Sequence, residues 1–311
     1  MPTFGILHDF RRPGGGDYVE YYAECLAEVA LADELGLDTV WLSEHHLTPD
    51  GMTPAPLVLA AAIAVRTNRI RIGTSVLVLP LHQPLRLAEE AATVDLLSGG
   101  RLVLGVGQGY AHQEFAAFGV PRRHRARLLD EGVALLREAL TTGRAGTVPV
   151  TPSPLRPVPL YVGGVTEAGL RRAARLGDGV IVYCATPADL RARRAVLDTI
   201  APDVPLVCTS VLHVAESAEQ AWAEAAPGIA YLENQISGYA ERAETPVLPR
   251  DAYLVGTPAE VAARLADLAD ELRFEHFAHW ARLPGLSHER ALESLRLFAD
   301  AMTPVHRPAG R

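Results

Sequence analysis

The sequence is poor in cysteine and has no long apolar run. Its 311 residues include only three cysteines, Cys25, Cys184 and Cys208, and no two of them form a CxxC pair. A cysteine-based zinc site is therefore disfavoured, and the odd count without a disulfide pattern indicates a reducing compartment. No stretch of about 18 apolar residues occurs, so we expect no membrane span. The first residues turn polar too early for a signal peptide, and we expect a cytoplasmic protein.

Positive charge is also scarce. The chain has 29 lysines and arginines against 37 acids, a formal net charge of −8. This balance disfavours nucleic acid or an anionic membrane as the main partner. The densest basic cluster comprises Arg122, Arg123, Arg125 and Arg127, which we interpret as the solvated start of a helix.

Short apolar runs alternate with longer amphipathic stretches along the whole chain. The predicted strands are 3–8, 39–46, 70–80, 101–109, 159–164, 179–184, 205–214 and 276–283. Helical patterns between them are typical of parallel βαβ units. Eight repeats predict one α/β domain over residues 1–311, a (β/α)8 TIM barrel with insertions near 144–158 and 232–253. A doubly wound open sheet is the alternative, and the second insertion is a candidate lid.

Active sites of such barrels lie at the carboxyl ends of the strands. Polar and aromatic residues follow most of the predicted strands: His8, Glu44, His45, His46, Ser75, Gln108, Tyr110, His112, Tyr183, His279 and Trp280. Four of these, His8, Tyr183, His279 and Trp280, suggest a mixed aromatic and polar substrate pocket. An aromatic residue at such a position is, however, more often simple packing.

The turn after the fifth strand reads "YVGGVTEAGL", which is a strand, a glycine pair and a helix start. Glycines let a ligand approach the backbone, and the free amides of a helix N-terminus attract an anion. We therefore predict a phosphate site at Gly163, Gly164, Val165 and Thr166, with an ordinary tight turn as the alternative. The glycines of "GVGQGY" lack the spacing of a dinucleotide fingerprint.

An acid and two histidines, Glu44, His45 and His46, end the second predicted strand. Together with His112 they suggest metal ligands, but adjacent histidines lack the i, i+4 spacing of a helical zinc motif. We predict no metal. Because side chains alternate along a strand, His45 and His46 are expected to face opposite ways.

Several segments resemble the bacterial luciferase-like monooxygenase superfamily, which includes flavin-dependent alkanal monooxygenases and coenzyme F420-dependent oxidoreductases. They are "LGLDTVWLSEHHLTPDG", "RIRIGTSVLVLPLHQPLRLAEEAATVDLLSGGRLVLGVGQGYAHQEFAAFGV", "YVGGVTEAGLRRAARLG", "LVGTPAEVAARL" and "ALESLRLFADAMTPV". They cover most of the chain in the expected order, and the resemblance also implies a (β/α)8 barrel.

The resemblance implies roles for matching residues. His45 corresponds to the histidine beside the reactive face of the flavin, where it manages protons, and Glu44 would orient the site. A cis peptide bond between Ser75 and Val76 would support the isoalloxazine ring, and the turn Gly163–Thr166 would bind the cofactor phosphate.

Two positions depart from the luciferase-type pattern. Gln108 replaces an arginine that would pair with phosphate, and Val165 replaces an acid. Phosphate binding would then depend on backbone amides, Thr166, Tyr110 and Arg171 or Arg172.

The function that the resemblance implies is a flavin-dependent monooxygenase. Reduced FMN from a separate flavin reductase would react with O2, and the resulting C4a-peroxyflavin would oxygenate a small organic substrate. The alternatives are an F420-dependent oxidoreductase that transfers hydride and a flavin-binding protein without turnover. A homodimer through the second and third helices is expected by analogy with the family.

Overall fold

Eight parallel strands close into a barrel in the computed structural model, which describes residues 1–183, 186–239 and 248–302. The strands are β1 (Thr3–His8), β2 (Thr39–Leu42), β3 (Arg71–Thr74), β4 (Leu102–Gly107), β5 (Leu160–Gly163), β6 (Gly179–Val182), β7 (Leu206–Ser210) and β8 (His276–Trp280). Pairing between β3 and β4, and between β1 and β8, completes the ring. The predicted TIM barrel is therefore confirmed, and the open-sheet alternative is wrong.

Ten α-helices are present in these three segments, most of them on the outside of the barrel. They are α1 (Tyr18–Glu34), α2 (Pro56–Ala64), α3 (Pro84–Ser98), α4 (His112–Ala117), α5 (Arg125–Thr142), α6 (Glu167–Leu176), α7 (Pro187–Ile200), α8 (Ala218–Tyr239), α9 (Pro258–Leu272) and α10 (His288–Met302). Over the described ranges, none of the helices is both long and apolar enough to cross a membrane.

Strand alternation divides the buried residues into two layers. One layer fills the barrel and includes Leu7, Trp41, Ile181 and Trp280. The other lies between the strands and the surrounding helices. Because successive side chains point to opposite faces, the residue next to an inward side chain on the same strand belongs to the outer layer.

Three predicted strands are shorter than their apolar runs. The run 39–46 leaves the sheet after Leu42, and the run 70–80 is interrupted after Thr74 before a short strand, Leu77–Val78. The run 205–214 is split, because Leu212–Val214 pairs with Leu254–Gly256 outside the barrel. Polar side chains at the barrel mouth therefore lie on loops, where strand alternation does not fix their direction.

The two predicted insertions have different structures. Residues near 144–158 contain a short antiparallel pair, Arg144–Ala145 with Val148–Pro149. In the second insertion, α8 continues to Tyr239 and a 3-10 turn spans Arg250–Ala252. The candidate lid falls partly on 240–247, which, like Cys184, lies outside the described residues.

Candidate active site

A pocket opens at the carboxyl ends of the barrel strands and contains about 900 Å³ of empty space, including its mouth. Its walls bring together eleven of the residues predicted from sequence: Glu44, His45, Ser75, Val76, Gln108, Tyr110, Gly163, Gly164, Val165, Thr166 and Tyr183. Residues from five different strand ends therefore converge on one site.

The floor of the pocket is built around Val76. The peptide bond between Ser75 and Val76 is cis, as the resemblance predicts. Val76 lies against two glycines that end neighbouring strands. A β-carbon on Gly107 would come within 2.6 Å of Val76 Cγ2, and one on Gly163 within 3.1 Å of Cγ1. The glycines make room for the valine, which presents a hydrocarbon surface to the pocket.

His45 lies on the loop after β2 and is held by a residue that the sequence reasoning missed. Its Nδ1 is 2.8 Å from Glu114 Oε1, and the same oxygen accepts the backbone N–H of His46 at 2.9 Å. A carboxylate oxygen that already accepts one N–H favours the proton on Nδ1, so Nε2 carries a lone pair. Nε2 lies 3.4 Å from Tyr110 Oη.

Glu114 belongs to α4, a short helix absent from the predicted elements. It is fully buried although it is an acid. The sequence feature that could have indicated a buried Glu114 is its place in "HQEFAAF", directly before Phe115, which is also buried. A buried acid needs a partner, but the sequence alone did not show that this partner is His45.

Glu44 lies in the pocket wall and binds two other histidines, His46 and His82. Its Oε1 accepts hydrogen bonds from His46 Nε2 at 3.1 Å and from His82 Nε2 at 2.7 Å, and its Oε2 accepts the backbone N–H of Val78. Burial by itself would raise the pKa of Glu44, but these hydrogen bonds outweigh it and lower the pKa to about 2. Glu44 is therefore an anion that ties the loops after β2 and β3 together, while Glu114 holds His45.

The turn after β5 forms the opposite side of the pocket. Thr166 caps α6, because its Oγ1 accepts the backbone N–H of Gly169 at 3.1 Å. Gly164 packs so closely that a β-carbon there would lie 2.8 Å from the backbone of Gly169. The turn therefore places the first amides of α6 at the pocket, where they favour an anion.

Three arginines, Arg122, Arg125 and Arg172, form a cluster between α5 and α6. Arg172 Nε donates to Asp130 Oδ1 at 3.0 Å, which joins α6 to α5. Burial, together with the charges of Arg122 and Arg172, lowers the pKa of Arg125. The Nε atoms of Arg122 and Arg125 are buried and have no hydrogen-bond partner among the described residues. The cluster lies at the start of α5, as interpreted from the sequence, but these two Nε atoms are shielded from solvent.

Arg171, the other arginine considered for phosphate, is exposed and pairs with Glu167 one turn earlier on α6. Exposed i, i+4 pairs of this kind contribute only a few tenths of a kcal/mol, about 0.3–0.5. Of the two arginines considered for phosphate, Arg171 and Arg172, only Arg172 therefore lies in the arginine cluster.

His8 and His279 do not line this pocket, which corrects their placement in the substrate site. Leu7 and Trp280 pair in register and face the barrel interior, so His8 and His279 face the outer helices. His279 Nδ1 donates to the carbonyl of Trp280 at 2.9 Å, and its ring packs on Phe298 of α10.

His8 lies behind β1 in a buried group with Cys25 and Glu28 whose ligand atoms are close enough to surround a metal ion. Its Nδ1 accepts the backbone N–H of Phe10 at 3.2 Å. Nε2 therefore carries the proton and donates to Glu28 Oε2 at 2.8 Å. His8 and Glu28 therefore form a hydrogen-bonded pair that joins β1 to α1.

Tyr183 does line the pocket, and Trp280 stands behind it. Their ring centroids are 5.9 Å apart, and Trp280 Nε1 donates to Asp9 Oδ2 at 2.9 Å. Of the four residues predicted for a substrate pocket, Tyr183 is the one that lines this pocket among the described residues, and the buried Trp280 packs beside its ring.

Three buried polar atoms in the pocket wall have no hydrogen-bond partner among the described residues. They are Ser43 Oγ, Ser75 Oγ and Glu114 Oε2. Unpaired buried polar atoms are costly and are normally satisfied by water or a ligand. A flavin-type ring carries carbonyl and N–H groups of both kinds, and the residues present therefore fit such a cofactor.

A closed barrel with a pocket at the carboxyl ends of its strands, and a histidine bound to a buried glutamate in the pocket wall, has its candidate site where TIM-barrel enzymes have theirs. The family model for luciferase-like monooxygenases matches residues 2–276, and the chain belongs to this family. The protein is an oxidoreductase of the luciferase-like group.

Comparison with individual proteins places the chain among both flavin- and F420-dependent relatives. It is 35% identical over 184 residues to the F420-dependent glucose-6-phosphate dehydrogenase of Amycolatopsis mediterranei, which covers 54% of this chain and 53% of that enzyme. The monooxygenase RslO1 from Streptomyces bottropensis superposes with a TM-score of 0.85 at 25% identity, over 97% of this chain and 99% of that one. The oxygenating constituent of 3,6-diketocamphane monooxygenase from Pseudomonas putida, solved with FMN, gives 0.80 at 17% identity over 98% of each chain.

Proposed function

We propose that this protein is a flavin-dependent monooxygenase that uses reduced FMN and O2 to oxygenate a small organic substrate. The observation that carries the proposal is the pocket itself. One side offers the turn at the start of α6 for a phosphate, the floor is the hydrocarbon surface of Val76, and the far wall carries His45 with its partner Glu114. These are the three features that a reduced flavin mononucleotide needs for binding and for proton transfer.

The phosphate of FMN would be held at the start of α6. Thr166 and the first amides of that helix provide hydrogen bonds, and Arg122, Arg125 and Arg172 provide positive charge. Gln108, which lines the same pocket, contributes neutral hydrogen bonds where luciferase-type members have an arginine. We infer that the missing charge is supplied by the arginines of the loop before α5 and of α6.

The isoalloxazine ring would rest on Val76, with Ser43 and Ser75 available to its polar edge. Reduced FMN supplies the electrons with which O2 is activated, and the protein supplies surroundings that favour transfer of oxygen to a substrate. The apolar side chains of Val76, Val78 and Ile181 keep water from the reacting centre. Nε2 of His45, oriented by Glu114, accepts or returns a proton there.

A separate flavin reductase would supply the reduced cofactor. The glycine-rich segment that ends β4, "GVGQGY", lacks the spacing of a nicotinamide site. The oxygenase would therefore receive its reducing equivalents as reduced FMN.

An F420-dependent hydride transfer is the second candidate, and Gln108 is the observation that favours it. A neutral residue at the phosphate position weakens the case for a mononucleotide, and one of the relatives is an F420-dependent dehydrogenase. His45 would then exchange a proton with the substrate during hydride transfer, without O2.

Binding experiments separate these candidates. Under anaerobic conditions, oxidised FMN, reduced FMN, riboflavin and F420 are titrated against the purified protein, and the dissociation constants are compared. We expect reduced FMN to bind at least about tenfold more tightly than F420, a difference of about 1.4 kcal/mol. Tighter binding of F420 would replace the first candidate by the second.

Turnover is tested by adding O2 to the complex with reduced FMN and following flavin oxidation and product formation over a panel of small ketones, alkenes and phenols. Oxygenated product is expected with at least one substrate class, and His45→Asn should lower its rate. Tight FMN binding without product, together with unchanged behaviour of His45→Asn, would indicate a flavin-binding protein without turnover.

A further inference from the structure

The hydroxyls of Ser43 and Ser75 lie in the pocket wall without hydrogen-bond partners. Ser43 follows β2, Ser75 follows β3, and both residues line the pocket. Each is only 2% exposed. Their Oγ atoms are the two fully buried hydroxyl oxygens that are left unpaired within residues 1–183, 186–239 and 248–302. Because an unsatisfied buried hydroxyl costs free energy, these two atoms require a partner that the described residues do not provide.

The two serines are neighbours across the ladder between β2 and β3. Leu42 pairs with Thr74, which places Ser43 beside Ser75 one residue further on. The backbone N–H of Ser75 donates to the carbonyl of Leu42 at 2.7 Å, so the two segments are still adjacent where they leave the sheet. Because neighbouring strands lie about 4.8 Å apart, the two side chains leave the backbone at about this separation.

The polar groups next to the serines already have partners. Thr74 Oγ1 donates to the carbonyl of Gly105 at 2.7 Å and accepts its backbone N–H at 2.9 Å. The carboxylate of Glu44 accepts hydrogen bonds from two histidines and from the backbone N–H of Val78. Neither group needs a serine hydroxyl as a partner. Rotation about the Cα–Cβ bond can therefore turn each serine hydroxyl toward a ligand without breaking a hydrogen bond.

Two hydroxyls at this spacing are suited to a single oxygen atom. An O–H···O hydrogen bond is about 2.7 Å long, so two donors about 5 Å apart both reach an oxygen that lies between them. A carbonyl oxygen has two lone pairs and can accept both bonds. Glu44, which follows Ser43 in the pocket wall, is an anion and would repel a second negative oxygen at this place. A neutral carbonyl is therefore favoured over a carboxylate.

We infer that Ser43 and Ser75 form a two-donor site that holds one carbonyl oxygen of a bound ligand. Both hydroxyls donate to this oxygen, and each thereby gains the partner that it lacks. Two sources of such an oxygen follow from the proposed function, on which this inference rests. One is a carbonyl of the flavin ring, and the other is the carbonyl of a ketone substrate.

The first measurement needs no ligand. Ser43→Ala and Ser75→Ala each remove a hydroxyl without a partner, so the unfolding temperature of either variant should equal or exceed that of the wild type. Ser98→Ala is the matched control, because the buried Ser98 Oγ donates to the carbonyl of Asp95 at 2.9 Å and its loss should lower the unfolding temperature. A clear loss of stability in Ser43→Ala or Ser75→Ala would show that these hydroxyls are bonded within the protein, and would overturn the site.

The cofactor is tested with oxidised FMN that carries carbon-13 at one of its two ring carbonyls. Infrared difference spectra of bound and free FMN give the stretching frequency of the labelled carbonyl, which falls when its oxygen accepts hydrogen bonds. If the cofactor is the source, one of the two carbonyls should shift down in the wild type and in Ser98→Ala, and return toward its free value in either pocket variant. FMN should then bind about fivefold more weakly to each of these two variants, because each lacks one neutral hydrogen bond.

The substrate is tested with cyclohexanone labelled with carbon-13 at its carbonyl, added to the protein with and without FMN. A carbonyl that accepts the two hydrogen bonds should show a downfield shift of its resonance on binding, and Ser43→Ala and Ser75→Ala should both remove this shift. A response confined to FMN assigns the site to the cofactor, and one confined to cyclohexanone assigns it to the substrate. If neither carbonyl responds to the substitutions, the inference is overturned, and a response to only one of the serines overturns the two-donor geometry.

The same measurements separate this inference from the proposed function. If the wild type binds FMN and the serine substitutions affect neither carbonyl, the flavin assignment stands and the serine site fails. If the wild type does not bind FMN but shifts the cyclohexanone resonance through both serines, the serine site stands and the flavin assignment fails.

Discussion

Glu114 Oε1 lies 2.8 Å from Nδ1 of His45, across the gap between α4 and the loop after β2. The same oxygen accepts the backbone N–H of His46, so one carboxylate fixes both the ring and the backbone that carries it. This double attachment explains how a histidine on a loop keeps a defined orientation at the barrel mouth. It also makes Glu114 the most informative residue to change.

Glu114→Gln should lower the rate of oxygenation by about 10²-fold, because a neutral amide neither fixes the tautomer of His45 nor stabilises its protonated form. The dissociation constant for reduced FMN should change less than about threefold, since the phosphate and ring contacts remain. Stopped-flow turnover and an anaerobic titration measure the two quantities. A loss confined to cofactor binding would show that Glu114 shapes the pocket and has no part in proton transfer.

Gly107→Ala should disturb the floor of the pocket. The new β-carbon would lie 2.6 Å from Val76 Cγ2, and overpacking of this kind costs about 1–3 kcal/mol of unfolding free energy. Urea denaturation and FMN titration should both show the loss. Gly238→Ala is the control, because a β-carbon there meets no atom of the described residues within 4 Å.

The double variant Val76→Ala, Gly107→Ala identifies the cause. If the clash with Val76 is responsible, removing the two methyl groups should restore most of the stability, giving a coupling energy of about 1 kcal/mol or more. If the loss in the double variant instead equals the sum of the losses in the two single variants, the strain does not come from the contact with Val76.

Arg125→Gln should weaken FMN binding about tenfold and leave riboflavin binding unchanged, because only FMN carries the phosphate. Comparison of the two ligands separates loss of a phosphate contact from general damage to the site. Arg127→Gln, which removes an exposed arginine paired with Glu131, should affect neither ligand. Equal weakening of FMN and riboflavin by Arg125→Gln would contradict a phosphate site in this cluster.

We predict that the protein loses stability in mild acid because of His279. Burial lowers its pKa from 6.5 to about 4, outweighing its hydrogen bond to the carbonyl of Trp280. Between these two values the unfolded chain binds a proton that the folded chain does not, so stability falls as the pH is lowered through this window. Above pH 6.5 the residue contributes no pH dependence.

The variant His279→Leu removes that titration. Relative to His279→Leu, the wild type should lose about 2 kcal/mol of unfolding free energy between pH 7 and pH 5. Urea denaturation of both proteins at the two pH values measures the difference. Parallel losses in wild type and variant would assign the acid sensitivity to other groups.

Much of the fold follows from sequence periodicity. Eight apolar runs separated by amphipathic helices predict the barrel, and the cis bond at Ser75–Val76 lies where the family pattern puts it. These features are local, so a short stretch of sequence is enough to indicate them.

Features that depend on contacts between distant segments were not predictable in this way. Glu114 and His45 are 69 positions apart, and nothing in either segment indicates the other. The placement of His8 and His279 in the substrate pocket was wrong for another reason, because each lies near the end of its strand and points to the outward face. The register of β1 with β8 sets Leu7 opposite Trp280. Only this register decides that these two side chains, and not those of His8 and His279, point into the barrel.

The nesting of Val76 against Gly107 and Gly163 means that this part of the pocket floor is formed by a single side chain. The two glycines cannot adjust it, since they have no side chains to lengthen or shorten. Exchange of Val76 for alanine or isoleucine lowers or raises the surface beneath the ring and leaves the histidine pair and the phosphate side in place. Substitution at residue 76 would therefore be expected to adapt the pocket to ring systems with different substituents.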